Sequence, residues 1–177
     1  MRGYCTYKQY CIKRKVCVQE NCMDDFIENV ILKHSNMVYR LALSQMKNKS
    51  DADDVFQEVF FRYVRKEPSF SSDEHEKAWF ISVTLNCCKS LWSSSWRKKT
   101  VPLDESIPYL TQEQHGLLDE LQRLPQKYLA VVHLYYFEDM SVTEISEAIG
   151  KSPSAVKMRL SRAREMLKEL LGEDYDV

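Results

Sequence analysis

Glycine and proline are scarce in this chain, four and five residues of 177. Turn-rich β architectures draw heavily on both, so their scarcity argues against one, and the plentiful Leu, Glu, Lys, Arg and Gln favour helix. Long apolar runs are missing too. None approaches the roughly 18–20 residues that a membrane-crossing helix needs. The basic N-terminus, MRGYCTYKQYCIKRKVCVQENCM, lacks the apolar centre of a secretory signal. The expected location is the cytoplasm, without membrane insertion. Metal-ligand spacing is also absent. Cys5, Cys11, Cys17 and Cys22 form no CxxC pair, and His34, His75, His115 and His133 are scattered. No metal, cofactor or catalytic residue is expected. An excess of either charge is missing as well: the formal net charge is −1. Any affinity for an anionic partner must therefore be local.

What is present is helical periodicity over a chain that is 44% hydrophobic and 29% charged, enough for a packed core. The first helix is expected over Asp24 to about Lys47, with Phe26, Val30, Leu32, Val38, Leu41 and Leu43 among its buried side. Ser50 is the expected cap of a second helix running to about Lys66, with Asp51, Asp53 and Asp54 at its positive end. A third is expected from roughly Glu76 to Ser93. Cys87 and Cys88 fall inside its apolar pattern, where a thiol acts as a small hydrophobe. The stretch Ser94–Gln112 has two prolines and no sustained period, and it reads as a linker. Helices are then expected near 113–123, 126–138, 142–149 and 153–171. Residues 1–22 read as a disordered, Cys-containing leader, with Met23 as a natural start. The expected fold is all-α: two small helical domains joined by a flexible linker, the second containing a helix-turn-helix.

The local basic excess lies in SVTEISEAIGKSPSAVKMRLSRAREML, Ser141–Leu167. Lys151, Lys157, Arg159, Arg162, Arg164 and Lys168 surround a single acid, Glu165. Ser141 and Glu144 have capping-box spacing. Gly150 stands where a helix end favours positive φ, and Ser152–Pro153 is a cap and first-turn pair. A short helix, a glycine turn and a longer basic helix form the helix-turn-helix pattern. At about 100° per residue, Val156, Leu160, Ala163, Leu167 and Leu170 share an inward stripe. Ser154, Met158 and Ser161 point outward between Lys157 and Arg162. Small side chains near base edges and long cations near phosphates suit the major groove of DNA.

Two further stretches stand out. In SDADDVFQEVFFRYVRK, Val55, Phe56, Val59, Phe60 and Tyr63 form a core stripe. Phe61 lies almost opposite it, beside Asp54, Gln57 and Glu58. An aromatic among acids on the solvent side reads either as an isolated exposed residue or as the anchor of a protein-docking face. KAWFISVTLNCCKSLWSSSWRKK interleaves Trp79, Phe80, Trp92 and Trp96 with cations, a mixture able to stack on single-stranded bases. Trp79, Val83 and Leu91 are equally readable as core.

Together these stretches resemble the bacterial extracytoplasmic-function (ECF) sigma factors. DADDVFQEVFFRYVRK is similar to that family's region 2.1–2.2 pattern D-A-x-D-x-x-Q-E-x-F, and AWFISVTLNCC resembles its region 2.3–2.4 helix. The stretch from LQRLPQKYLAVV to VKMRLSRAR is similar to region 4. The resemblance spans about Asp24 to Leu171. It implies a region 2 domain at 23–95, a linker at 96–112 and a region 4 domain at 113–177.

It also implies partners and sites: core RNA polymerase, through its clamp coiled coil, on Asp54, Gln57, Glu58, Phe61 and Arg62. The promoter −35 element would lie on Ser154, Lys157, Met158, Arg159, Ser161 and Arg162. The melted −10 element would lie on Trp79, Asn86, Lys89, Ser90, Arg97 and Lys98. An anti-sigma factor is a further implied partner. Where family members often carry Arg and Asp, this chain has Ser82, Leu85 and Ser90, so its third helix is less basic; Arg97, Lys98 and Lys99 would supply charge. The function implied is promoter recognition and DNA melting for transcription initiation; the alternative is a stand-alone helix-turn-helix regulator.

Overall fold

The computed structural model describes residues 22–46, 48–93, 121 and 123–171. Most of the leader, the linker, most of the helix expected at 113–123, and Arg97 and Lys98 lie outside these residues, as does the side chain of Phe26. Six helices are described: α1 (Cys22–Met46), α2 (Lys49–Lys66), α3 (Asp73–Ser93), α4 (Gln126–Tyr136), α5 (Val142–Ile149) and α6 (Pro153–Leu171).

α1 buries Val30, His34, Met37, Val38 and Leu41, a spacing of three or four residues that puts them on one face. Leu32, expected to be inside, is 59% exposed. It sits about 200° round the helix from Val30, beyond the stripe's edge. From Leu41 to Met46 every residue is buried, including Ser44 and Gln45. A helix enclosed on all sides needs a second covering layer, and α4 supplies it across the face that α2 and α3 leave open.

α2 is capped by Asn48, two residues before the expected Ser50. Asn48 has extended backbone, its side-chain oxygen accepts the Asp51 N–H at 2.8 Å, and its amide donates to Asp51 Oδ2 at 2.9 Å. The reciprocal bond is what favours Asn48 over a serine two residues later. The helix ends on Glu67 in left-handed conformation (φ 43°), its N–H donating to Tyr63 O at 3.0 Å. Pro68 follows, and a residue preceding proline avoids the right-handed helical region. α3 starts at Asp73, three residues before the expected Glu76. Ser72 Oγ accepts the His75 N–H at 3.2 Å, and Asp73, Glu74 and Glu76 meet the positive helix end.

These three helices meet around Phe80, which is fully buried. His34 stacks on it at 4.4 Å between ring centres, with Phe60 at 5.4 Å, Tyr63 at 5.3 Å and Trp79 at 5.1 Å. His34 Nε2 lies 2.5 Å from Glu76 Oε1, which also accepts from Lys33 Nζ at 3.0 Å. Burial pushes the His34 imidazole below its ordinary value although Glu76 pulls it up. Burial alone would raise the Glu76 carboxyl, but His34 and Lys33 hold it below the usual carboxylate value.

Both groups take up a proton more readily in the unfolded chain, so both favour unfolding as pH falls. His34 contributes from about pH 6.5 downward and Glu76 below the ordinary carboxylate value, about 4.3. Thermal melts should give a lower Tm at about pH 5.5 than at about pH 7.5, and His34→Gln should flatten that difference. An equal pH dependence in the variant would remove His34 from the acid response.

In the second half, α4 is buried from Tyr128 to Leu134. It ends at Tyr136, short of the expected 138. Phe137 N–H donates to His133 O at 2.9 Å, Asp139 adopts φ 51°, and Met140 N–H returns to Leu134 O at 3.1 Å. Ser141 then opens α5 with both bonds of the capping box, at 2.7 and 3.3 Å. Gly150 closes it at φ 61°. A Cβ there would touch nothing within 4 Å, so only the backbone angle favours glycine. Ser152 Oγ accepts the Ala155 N–H at 3.3 Å at the start of α6. Val156, Leu160, Ala163 and Leu167 are buried as expected, whereas Leu170 is 37% exposed because the last turn extends past its packing partners.

The two halves pack on one another, α5 against α3 and α4 against α1. Arg40 Nη2 donates to Glu138 Oε1 at 2.7 Å, and Lys77 Nζ donates to Glu138 O at 3.4 Å. Trp92 Nε1 and Gln126 Nε2 both reach Gln45 O, at 3.3 and 3.5 Å. No described helix is long and apolar enough to cross a membrane.

Candidate nucleic-acid and protein interfaces

On α6, the hydrophobic stripe faces α4 and α5, which turns the opposite side outward. Ser154, Lys157, Met158, Ser161 and Arg162 are exposed and Arg159 is half-buried. Met158 is 53% exposed, high for an apolar side chain in a small folded unit. Not all the helix's cations share this face. Arg164 Nε donates to Tyr136 Oη at 2.9 Å and its guanidinium lies over the Tyr135 and Tyr136 rings, 6.0 and 5.8 Å from their centres. It ties α6 to α4. Arg162 approaches Tyr128, whose phenol it holds below the ordinary value. Lys157 is exposed.

On α2, Asp54, Gln57, Glu58 and Phe61 are exposed and Arg62 is half-buried. Phe61 is 55% exposed, on the side away from Val55, Val59 and Phe60. Arg62 Nε donates to Glu58 Oε1 at 2.7 Å, one helical turn back. Val64, exposed and three residues beyond Phe61, continues the apolar patch. Its i, i+3 spacing from Phe61 is the sequence signal for this pairing. Beside this patch runs a cleft of about 280 Å³, lined by Asp54, Val55, Glu58, Arg62, Cys87, Ser90 and Leu91. The cleft joins α2 to α3. Burial pushes the Cys87 thiol up and the Cys88 thiol to about 12, so both stay protonated and inert.

On α3, Trp79, Asn86 and Ser90 fall within about 40° of one another around the helix, with Lys89 at the flank. Asn86, Lys89 and Ser90 are exposed. Trp79 is half-buried: its ring meets Tyr63 at 6.0 Å and Phe70 at 5.8 Å as well as Phe80. It braces the loop before α3 as much as it faces outward. Among the described residues no three His, Cys, Asp or Glu side chains are grouped to hold a metal ion.

A helix-turn-helix with an exposed basic face, on a chain whose described elements are all helices, is the arrangement of a helical DNA-binding protein. Comparison with known proteins makes the class specific. Residues 30–98 match the family described as Sigma-70 region 2, and residues 114–167 match Sigma-70, region 4. RNA polymerase sigma factor SigV of Bacillus subtilis (strain 168) is 32% identical over 151 residues, covering 81% of this chain and 90% of the relative. ECF RNA polymerase sigma factor SigM of Mycobacterium tuberculosis (H37Rv) is 25% identical over 150 residues, 82% of this chain and 76% of the relative.

Among solved structures, sigma factor RpoE from Bartonella quintana, in complex with the anti-sigma factor NepR, superposes with a TM-score of 0.70 at 22% identity. The match covers 85% of this chain and 99% of RpoE. CnrH, in complex with the cytosolic domain of CnrY, gives 0.64 at 24% identity, over 84% of this chain and 89% of CnrH. These two likenesses bear on the fold. The chain belongs to the sigma-70 family of RNA polymerase sigma factors, in its extracytoplasmic-function group. Its function is that of a transcription initiation factor, and the stand-alone regulator is not favoured.

Proposed function

We propose that α2 docks this sigma factor on the clamp coiled coil of core polymerase through Asp54, Gln57, Glu58, Phe61 and Arg62. The outer face of α6 reads the duplex −35 element with Ser154, Lys157, Met158, Arg159, Ser161 and Arg162. α3 and the basic stretch after it hold the melted −10 strand through Trp79, Asn86, Lys89, Ser90, Arg97 and Lys98. The domains run 23–95 and 113–177 around the linker. The protein works in the cytoplasm, without catalysis of its own, and has an anti-sigma factor as a further partner, as sigma factor RpoE of Bartonella quintana has in its complex with NepR.

The observation that supports this division most is the placement of two chemically opposed faces on separate helices: acidic with an exposed Phe61 on α2, basic with small side chains on α6. Opposed faces account for a net charge near zero in a protein that binds both polymerase and DNA. Run-off transcription with bacterial core polymerase on the DNA upstream of the protein's own gene tests it. Initiation only when both proteins are present is expected. Tight operator binding by the protein alone, with no core-dependent transcript, would overturn the assignment.

One substitution separates positioning from base reading on α6. Lys157→Ala should weaken holoenzyme binding to matched and mismatched −35 sequences alike, and lower the slope of log K against log salt by about 1. An unchanged slope would remove Lys157 from the phosphate contacts.

A further inference from the structure

Tyrosines of α4 hold α6 from behind, on both flanks of its buried stripe. Ala163 is fully buried, and Val156, Leu160 and Leu167 continue that stripe. The residues on either side of Ala163 in sequence leave the helix about 100° to each side of it. Both are arginines, and both meet α4. Arg164 Nε donates to Tyr136 Oη at 2.9 Å, and its guanidinium lies over the Tyr136 and Tyr135 rings, 5.8 and 6.0 Å from their centres. On the other flank the Arg162 guanidinium donates to the phenol of Tyr128, near the opposite end of α4.

Two ties on opposite flanks resist a motion that apolar packing permits. Burial of aliphatic side chains is non-directional, so the stripe leaves α6 free to turn slightly about its own axis. Hydrogen bonds and cation–aromatic contacts have preferred geometries. The seat for Arg164 is itself supported: the Tyr135 and Tyr136 rings meet edge to face at 5.0 Å, and Tyr135 packs against the core. Rotation matters because Ser154, Met158 and Ser161 point about 140–180° away from Ala163. Side chains extend about 6 Å from a helix axis, so a turn of about 10° moves that face by about 1 Å. A recognition site needs its groups held to within about 0.5 Å.

The contact is poorly placed to contribute much to folding. Tyr136 is 46% exposed and Arg164 is exposed, and surface contacts of this kind change stability little. Arg164 also lies within about 20° of Lys157 around α6, where a free cation would face phosphate. Its guanidinium is engaged on α4 instead.

We propose that Arg164, seated on Tyr136 and Tyr135, is a positioning residue that sets the rotation of α6 and thereby its discrimination among −35 sequences. It acts through Ser154, Met158 and Ser161 rather than by touching DNA. This rests on the assignment of the outer face of α6 to the −35 element.

The test uses the full chain bound to core polymerase. The DNA is the promoter upstream of the protein's own gene, together with versions altered one base at a time in the −35 element. Affinities for the two kinds of DNA give a discrimination ratio, their salt dependence counts phosphate contacts, and melts of the free protein report stability. In Arg164→Gln the ratio should fall about fivefold, the lower end of what one base contact discriminates. The slope of log K against log salt should not change, and Tm should stay within about 3 °C. Tyr136→Phe, which removes one oxygen and no charge, should lower the ratio in the same direction but less. Arg164→Lys keeps the charge without the planar fork and should not restore the ratio. The double variant Tyr136→Phe/Arg164→Gln should be no worse than Arg164→Gln, because the two side chains make one contact.

A slope lowered by about 1 in Arg164→Gln, with the full ratio in Arg164→Lys, would make Arg164 a phosphate contact and overturn the proposal. An unchanged ratio in Arg164→Gln, or a ratio that falls only as Tm falls, would overturn it too. Equal binding of the unaltered holoenzyme to every −35 version would instead overturn the −35 assignment, and the positioning role with it.

Discussion

Phe80→Ala is expected to destabilise the protein by about 3–5 kcal/mol, the range for truncating a buried aromatic to alanine. Phe80 is a side chain on which all three helices of the first half converge. His34 reaches it from α1, Phe60 and Tyr63 from α2, and Trp79 from its own helix. The ring is fully buried, and the neighbours it would leave behind are aromatic and rigid, so the cavity could not collapse cheaply. Since whole domains are stable by about 5–15 kcal/mol, such a loss would remove a large part of that margin. Urea denaturation followed by circular dichroism checks it, with Phe80→Leu as a milder companion. A loss below about 1 kcal/mol would mean that the stacked rings are not where this half is held together.

The elements that were legible in the sequence are those set by chemistry local to a few residues. The turn from α5 to α6 followed from Ser141, Glu144, Gly150 and Ser152–Pro153, and the observed boundaries of both helices agree with it. The exposure of Phe61 followed from angular position alone, because Val55, Val59, Phe60 and Tyr63 already defined the inward side of α2. The errors arose where two local choices competed. Asn48 and Ser50 are both good caps, and the bond from Asn48 back to Asp51 decided between them. Asp73 lies in a polar stretch that reads as loop until Ser72 is seen to cap it.

The packing of one half on the other was not legible at all. Periodicity shows that a face is apolar and says nothing of what covers it. Leu32 and Leu170 read as inward-facing from the pattern, yet they are 59% and 37% exposed. Ser44 and Gln45 are polar, yet both are buried. Likewise Trp79 reads as a base-stacking candidate in sequence but spends much of its ring on Phe70 and Tyr63. Contacts between residues distant in sequence decide such cases, and those contacts are fixed only when the helices assemble.

Phe61→Ala should weaken binding to core polymerase by about 2 kcal/mol or more, roughly thirtyfold, if its ring is the anchor of the docking face. The case rests on a contrast between folding and binding. In the free chain the ring is 55% exposed and faces away from the core stripe, so truncating it should change stability by no more than about 0.5 kcal/mol. In a complex the same ring, with Val64 beside it, would be removed from water at the centre of a patch rimmed by Asp54, Gln57 and Glu58. Central aromatics enclosed by polar rims are where binding energy concentrates.

The rim should behave differently. Glu58 is already paired with Arg62 at 2.7 Å on a largely exposed surface. Its replacement by alanine removes a surface ion pair that contributes about 0–1 kcal/mol, and any effect on docking should fall as salt is raised. Anisotropy titrations of labelled sigma factor with core polymerase, run beside thermal melts of the same variants, distinguish the two kinds of residue. Full affinity in Phe61→Ala would mean that polymerase docks elsewhere on α2. A thirtyfold loss with an unchanged Tm would identify Phe61 as a residue kept outside the fold for its partner.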